Sequence, residues 1–228
     1  IIMTWDDKGF LLSKNRYNEN SLIVEIFTKH HGKISGIVFG GTSKKIKNYL
    51  QVGNELHVNY NSKNINKLGY FKIEIQKAYS PLFFDSRQKL FCVSSAMQLV
   101  KILTAESQKN LKIYDLLNHF YEIIDSDRWV KNYIFWELEL LSNIGFNIEL
   151  EKLVNKDINN SDDVYKITSS TQVKYVPNFL IDKNNDNPSQ KSLLDGLKLV
   201  GDFLDKNILK PNNLSHPINR LQFIDALK

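Results

Sequence analysis

The chain has 228 residues, 42% hydrophobic and 24% charged, which excludes a disordered polypeptide and is enough for one or two domains with a buried core. Residues 1–80 carry 12 Lys and Arg against 6 Asp and Glu, whereas the remainder carries 18 against 19, so the positive excess lies entirely in the first third. No apolar run approaches the ~20 residues that cross a bilayer, and we expect no secretory signal at residues 1–5.

The first 80 residues predict five β-strands and no long helix. β-branched, aromatic or alternating segments occupy residues 9–13, 21–28, 34–39, 55–60 and 69–76. A small closed barrel accommodates five such strands because closure removes exposed edges. We assign Trp5, Phe27 and Phe39 to the interior of this barrel.

Beyond Pro81 the apolar spacing becomes helical. The helical stretches are residues 86–102, 111–124, 128–144, 192–208 and 218–227. Residues 151–190 are polar and irregular, with possible short strands at 164–167 and 172–177. The sequence therefore predicts an α+β protein with two domains. The first, residues 1–80, is the barrel, and the second, residues 81–228, is mainly helical with a small insert at about 151–190.

A single cysteine, Cys92, lies in the second part of the chain. One thiol forms neither an internal disulfide nor a cysteine-based zinc site. Its neighbours Phe91 and Val93 are apolar, which favours a small buried side chain over a reactive nucleophile. Cysteine usage therefore favours the reducing cytoplasm, and no cofactor is expected.

Several segments, in order, resemble the RecO family of bacterial DNA repair and recombination mediators. They are GFLLSKNRYNENS at 9–21, FTKHHGK at 27–33, GGTSKK at 40–45, ELELLSNIGF at 137–146 and GLKLVGDFL at 196–204. Each segment is weak alone, but the ordered set extends over nearly the whole chain. The resemblance implies an OB-fold at about residues 4–80 followed by a mainly helical domain.

The resemblance also implies a function and partners. Family members bind single- and double-stranded DNA, promote annealing, and work with RecR to load RecA onto DNA coated by single-stranded-DNA-binding protein, whose acidic tail they recognise. Many members hold zinc through four cysteines in the insert. Residues 151–190 of this chain contain no Cys and no His, so the insert lacks such ligands.

The segment 40–47 is the strongest candidate for binding DNA. Two glycines allow close backbone approach to a phosphate, and Lys44, Lys45 and Lys47 supply positive charge. Lys14 and Arg16 are plausible additions, with Arg16 placed in a turn between strands. Tyr17, Tyr49 and Tyr60 are candidates for stacking on bases, although filling the barrel is the favoured interpretation for each of them. A solvated loop with ordinary lysines is the alternative interpretation.

An acidic partner tail ending in an aromatic residue needs an apolar pocket beside a cation. The most suggestive cluster in the helical domain is Arg128, Trp129, Lys131 and Phe135. An exposed helix start with ordinary charges is the competing interpretation.

Enzymatic functions find little support in the sequence. His30 and His31 are adjacent, and we expect them to lie in a turn and point to opposite sides. Paired carboxylates such as Asp162 and Asp163 do not specify a converging metal site. The leading hypothesis is a non-enzymatic DNA-repair mediator. The alternatives are a protein-interaction adaptor with negligible DNA affinity and a metal-dependent nuclease.

Overall fold

A computed structural model describes residues 3–64, 67–154, 164–168, 173–182 and 184–228. The chain forms two compact units. One comprises Ile1–Tyr121 and Pro217–Ala226, and the other comprises Glu122–His216 and Leu227–Lys228. The proposed boundary near residue 80 stays a prediction, because compactness alone does not define an independently folding domain.

Five strands form the amino-terminal part of the first unit, as predicted. They are β1 (Met3–Arg16), β2 (Ser21–Thr28), β3 (Gly32–Phe39), β4 (Glu55–Ser62) and β5 (Gly69–Lys77). The order β1-β2-β3-β5-β4 closes into a barrel, because β4 also pairs with β1. All pairs are antiparallel except β3 with β5. This is the expected OB-fold barrel.

The long strand β1 closes the barrel because its two halves pair with different strands. Its residues from Met3 to Phe10 pair with β4, and those from Gly9 to Arg16 pair with β2. A register shift between Leu11 and Ser13 bends the strand where it passes from one partner to the other.

Alternating burial along the strands produces the barrel interior. Val24, Val38 and Phe71 point inward, and their strand neighbours are at least partly exposed. Phe27 is fully buried, which confirms it as a core residue. Because it alternates with the inward-facing Ile26, it is buried on the outer face of β2 and not inside the barrel. The assignment of Phe39 was wrong: its side chain is 59% exposed, because Val38 takes the inward position. Trp5 is partly exposed and packs against the core from its edge.

A short helix, α1 (Lys44–Tyr49), follows β3 where the sequence suggested a loop. Gly40 has a φ of +68°, which turns the chain out of the strand. Ser43 is the N-cap, and its side chain accepts a hydrogen bond from the backbone N–H of Ile46. Ile46 and Tyr49 pack against the barrel core, so two residues of the helix hold it to the barrel.

Two longer helices, α2 (Arg87–Leu103) and α3 (Leu111–Asp125), follow the barrel as predicted. Ser86 caps α2 by accepting a hydrogen bond from the N–H of Lys89. Cys92 is fully buried on α2, as expected. The final helix α7 (Ile218–Leu227) lies largely in this unit, where the N–H of Asn219 donates to Gln98 of α2 at 2.9 Å.

The second unit contains α4 (Trp129–Asn143), α5 (Leu150–Leu153) and α6 (Gln190–Leu204). The predicted stop of α4 is confirmed: Gly145, with a φ of +93°, follows its end. The strands β6 (Val164–Thr168) and β7 (Val173–Pro177) pair antiparallel, which confirms the strands proposed for the insert. The polar stretch 155–163 lies outside the described residues. In the described part of the chain, no helix is long and apolar enough to cross a membrane.

Candidate nucleic-acid interface and partner groove

Three lysines on α1 form the centre of the candidate interface. Lys44, Lys45 and Lys47 are exposed, and among the described residues none of them has an ion-pair partner. The Ser43 cap and the buried C-cap Leu50 fix the short helix at both ends. The helix therefore presents its ammonium groups to solvent from an anchored backbone.

Lys14 is only partly exposed, and its ammonium group contacts the end of α1. Its Nζ donates to the carbonyl oxygen of Leu50 at 2.7 Å and lies 3.5 Å from Oε1 of Gln51. A cation is favourable at the carboxyl end of a helix, where carbonyl oxygens lack partners. Burial lowers the pKa of Lys14, and the positive charge of Lys47 lowers that pKa further.

The loop between β1 and β2 brings Arg16 and Tyr17 toward the start of α1. Arg16 is the last residue of β1, rather than a turn residue, and is exposed. Tyr17 is 56% exposed. Thr42 donates a hydrogen bond to the carbonyl oxygen of Glu19 at 3.1 Å, which joins this loop to the segment before α1. Glu19 is exposed and adds one negative charge to the otherwise basic surface.

Two of the three tyrosines proposed for base stacking are poorly placed. Tyr60 is only 9% exposed, with its ring centroid 4.8 Å from Trp5 and 5.1 Å from Phe71. It is therefore corrected to a core residue, because both neighbouring rings already cover it. Tyr49 is partly buried and packs against the same core. Tyr17 alone keeps an exposed ring.

Two aromatic residues on the outside of the barrel, Phe39 and Tyr70, were not predicted as site residues. Phe39 was assigned to the core, and Tyr70 was not considered. Their ring centroids lie 5.9 Å apart. The signal that could have identified them is the two-residue period: once Val38 and Phe71 are placed inside, Phe39 and Tyr70 must face outward.

The adjacent histidines converge on one carboxylate and do not point to opposite sides as expected. Asp7 is buried, and its two carboxylate oxygens lie 3.0 Å from Nδ1 of His30 and 2.9 Å from Nδ1 of His31. The backbone N–H groups of His30 and Lys8 also donate to it, each at 2.8 Å. Convergence is possible because both histidines lie in the tight turn between β2 and β3, where strand alternation does not apply.

Two opposing effects set the pKa of Asp7. Burial raises it, but hydrogen bonds from the His30 backbone, both imidazole rings and the Lys8 backbone lower it by more, so the net pKa is below the ordinary value. The carboxylate is therefore ionised at neutral pH and holds the β2–β3 turn. Across the described residues, no group of three or more His, Cys, Asp or Glu side chains is arranged to hold a metal ion.

The proposed partner site lies at the amino-terminal end of α4. Both of its cations, Arg128 and Lys131, already lie close to the carboxylate of Asp186. Arg128 Nη1 lies 2.7 Å from the Asp186 carboxylate. Lys131 Nζ lies 3.6 Å from the same carboxylate and donates to the carbonyl oxygen of Asn185 at 2.8 Å. Lys131 is only 7% exposed but lines a groove along α4, so its role in binding a partner stays a prediction. Arg128 remains about half exposed.

An open groove of about 680 Å³ runs along α4 from Lys131. Apolar side chains that line it are Phe135, Leu138, Ile148, Leu150 and Leu180. Phe135 is partly exposed and meets Phe179 edge to face, at 6.2 Å between ring centroids. Trp129, the first residue of α4, is not among the lining residues. Lys131 marks the cationic end of the groove, and Lys152 together with three glutamates, Glu139, Glu149 and Glu151, also lines it. The groove thus combines an apolar floor and a cationic end with a rim that carries both charges.

Comparison with known proteins agrees with this architecture. Residues 3–79 match the family model "Recombination protein O N terminal", and residues 85–215 match "Recombination protein O C terminal". The relatives are each named DNA repair protein RecO. The one from Rhodospirillum centenum is 23% identical over 99% of this chain and 95% of its own length. The one from Wolbachia pipientis subsp. Culex pipiens is 29% identical over 94% and 96%.

A third relative, from Rhodopseudomonas palustris strain BisB18, is 28% identical over 99% of this chain and 94% of its own length. The two family matches follow each other in order, first over the barrel and then over the region from α2 to the segment before α7. The chain therefore belongs to the Recombination protein O family.

Proposed function

We propose that this protein is a DNA-repair mediator that binds single- and double-stranded DNA and promotes annealing without catalysing a reaction. The observation that carries the proposal is the exposed lysine cluster on α1, which has no ion-pair partner among the described residues and lies at the end of an OB-fold barrel. Membership of the Recombination protein O family supports the same function.

Annealing follows from the electrostatics of this surface. Two DNA strands repel each other because each phosphate carries a negative charge. Lysines and Arg16 that neutralise these phosphates lower the repulsion, and the counterions they release supply free energy for binding. Such contacts read the backbone and not the bases, so the protein would accept any pair of complementary sequences.

The groove along α4 is the proposed site for the acidic tail of single-stranded-DNA-binding protein. Its apolar floor suits an aromatic end group. Arg128 does not line the groove, but it shares Asp186 with Lys131 at the cationic end and would meet the carboxylates of the tail there. Through this contact, and together with RecR, the protein would help load RecA onto coated DNA. We expect the protein to carry out this function in the bacterial cytoplasm, at the nucleoid when active.

A salt titration tests the DNA-binding proposal. Affinity for a labelled single strand is measured by fluorescence anisotropy at 50–300 mM NaCl, for the wild type and for the triple-lysine variant (Lys44→Ala, Lys45→Ala, Lys47→Ala). Log affinity should fall linearly with log salt, by about 0.7 for each phosphate neutralised on a single strand. The triple-lysine variant should therefore bind more weakly and lose up to about two units of slope.

A matched control separates local contacts from net charge. Lys112, Lys198 and Lys206 are also exposed, and replacing all three by Ala removes the same charge far from α1 in sequence. This control should keep the wild-type slope. An unchanged slope in the triple-lysine variant would remove α1 from the interface. Absence of DNA binding by the wild type at low salt would instead favour an interaction adaptor, and chelator-sensitive cleavage with Mg²⁺ would favour a nuclease.

A further inference from the structure

An outward-facing apolar row crosses three strands of the barrel. Ile23 of β2 pairs with Ile37 of β3, and Ile37 pairs with Tyr70 of β5. The strand neighbours Val24, Val38 and Phe71 are buried inside the barrel. Because side chains alternate along a strand, Ile23, Ile37 and Tyr70 share the outer face.

Phe39 extends this row toward α1. It lies two residues beyond Ile37 and therefore on the same face of β3, and its ring is near that of Tyr70. More than half of its surface is exposed to solvent. A phenylalanine left this exposed beside a tyrosine and two partly exposed isoleucines forms a contiguous apolar surface, which on a folded protein marks a binding site.

The charges around the aromatic pair identify the kind of ligand. The chain leaves Phe39 through two glycines and reaches Lys44 and Lys45 within six residues. Lys72 is exposed two residues beyond Tyr70 and lies on the same face of β5. The acidic Glu74 follows it on that face, so the positive charge is concentrated toward the Phe39 end.

Aromatic rings beside cations suit unpaired nucleotides. A base offers a flat π-face to the ring while its phosphate meets the lysine, and the contact requires no particular sequence. A duplex offers no such face, because its bases are already stacked on each other. The outer face of strands 2 and 3 is also where OB-folds bind oligonucleotides.

We propose that Phe39 and Tyr70 form a stacking platform for unpaired bases, which makes the barrel bind single strands in preference to duplex. This inference rests on the proposed DNA-binding function and adds the strand preference to it. The lysines of α1 hold the phosphates of either form of DNA, whereas the platform contributes only when the bases are unpaired.

Paired binding titrations test the platform. A 20-nucleotide oligo(dT) and a 20-base-pair duplex are titrated with the full chain, as wild type, Phe39→Ala and Tyr70→Ala. Loss of a stacked base should weaken binding of the single strand by about 5- to 150-fold. Duplex affinity should change less than twofold, and the salt slope on the single strand should be kept because no phosphate contact is removed.

Controls exclude a general effect of aromatic removal or of unfolding. Phe84 is also a highly exposed phenylalanine, 65% exposed and outside the barrel strands, and Phe84→Ala should leave both affinities unchanged. Phe39→Trp should retain binding of the single strand. Its fluorescence should also be quenched more by oligo(dT) than that of the wild type, which already contains three tryptophans.

Three results would overturn the platform. One is wild-type affinity for oligo(dT) in both alanine variants, and another is an equal loss on single strand and duplex. The third is a wild type that sediments as a dimer and a Phe39→Ala variant that sediments as a monomer and still binds DNA like the wild type. That result would make this face a contact between copies of the chain. In each case wild-type DNA binding would leave the proposed function standing, whereas a wild type that binds neither DNA would overturn both.

Discussion

At the scale of single residues, Asp7 shows how one buried carboxylate organises a turn. It accepts hydrogen bonds from two backbone N–H groups and contacts both imidazole rings of the β2–β3 turn. Ring stacking of His31 on Trp5, at 3.8 Å between centroids, adds a second constraint. The histidines therefore fix the β2–β3 turn at one end of the barrel.

The depressed pKa of Asp7 predicts how stability depends on pH. A carboxylate with a lowered pKa stabilises the fold above its ordinary pKa near 3.9, and this stabilisation is lost as the pH falls through the lower folded value. Asp7→Asn should thus lower the free energy of unfolding at pH 7 by about 1–3 kcal/mol. The difference from wild type should narrow below about pH 4. Urea unfolding at pH 7, 5, 4 and 3 measures it.

The neighbouring residue provides a control for this pH dependence. Asp6 is exposed on the same strand, so Asp6→Asn should change stability by less than about 0.5 kcal/mol at every pH. A deficit for Asp7→Asn that is as large at pH 3 as at pH 7 would show that the charge of Asp7 does not stabilise the fold.

The basic residues of the candidate site were predictable from sequence, but the aromatic ones were not. Exposed lysines need no partner, so their identity and clustering already predict a basic surface. An aromatic residue fits the interior or the outside of a strand equally well, and only the strand register decides. Tyr60 was therefore predicted to be exposed and is buried, whereas Phe39 was predicted to be buried and is exposed. The interior positions of β3 and β5 belong instead to Val38 and Phe71. The contact of Asp186 with Arg128 is long-range in sequence and leaves no local signal.

At the scale of elements, strands and long helices were predictable because each has a strong period. The helix α1 was missed because six residues give too little periodicity to detect. Its place depends instead on a tertiary contact behind it. Asn54, 1% exposed, donates to the carbonyl oxygen of Tyr49 at 3.0 Å and accepts from the backbone N–H groups of Tyr79 and Ser80 at 2.8 and 3.1 Å.

We therefore predict that Asn54→Ala destabilises the barrel substantially. The substitution removes the partner of the buried backbone N–H of Tyr79, of the part-buried N–H of Ser80 and of the carbonyl oxygen of Tyr49. Each such loss costs about 1–3 kcal/mol where water does not replace the partner. The expected loss is about 2–4 kcal/mol in the free energy of unfolding by urea. Asn59→Ala, on the more accessible outer side of β4, should cost less than about 1 kcal/mol. Equal losses in the two variants would contradict the role of Asn54.

At the scale of the whole molecule, the two proposed binding functions map to two different regions. The net positive charge belongs to the first 80 residues, three of whose lysines are exposed on α1, whereas the apolar groove lies along α4 of the second unit. The charge asymmetry was evident from sequence. The groove was only partly predicted, because its lining comes from α4, α5 and Leu180, which are separated along the chain.

This division predicts that DNA binding and peptide binding are separable by mutation. The triple-lysine variant should lose DNA affinity and keep its affinity for a synthetic acidic peptide that ends in phenylalanine. Asp186→Asn should change peptide binding alone. The substitution removes the internal carboxylate that competes for Arg128, so peptide affinity should rise by about two- to fivefold, which corresponds to the free energy of an exposed ion pair. DNA affinity should stay unchanged. Arg128→Ala should lower peptide affinity.

Anisotropy titrations of both ligands against the same protein samples measure the two affinities side by side. Asp195→Asn makes the same charge change at an exposed position of α6 and should leave peptide affinity at the wild-type value, which separates relief of local competition from a change in net charge. If Asp186→Asn binds the peptide no better than Asp195→Asn does, the carboxylate is not a competitor and the cationic end of the groove is a structural ion pair. If the triple-lysine variant loses both ligands together, the peptide binds to the barrel surface and the groove has no part in it.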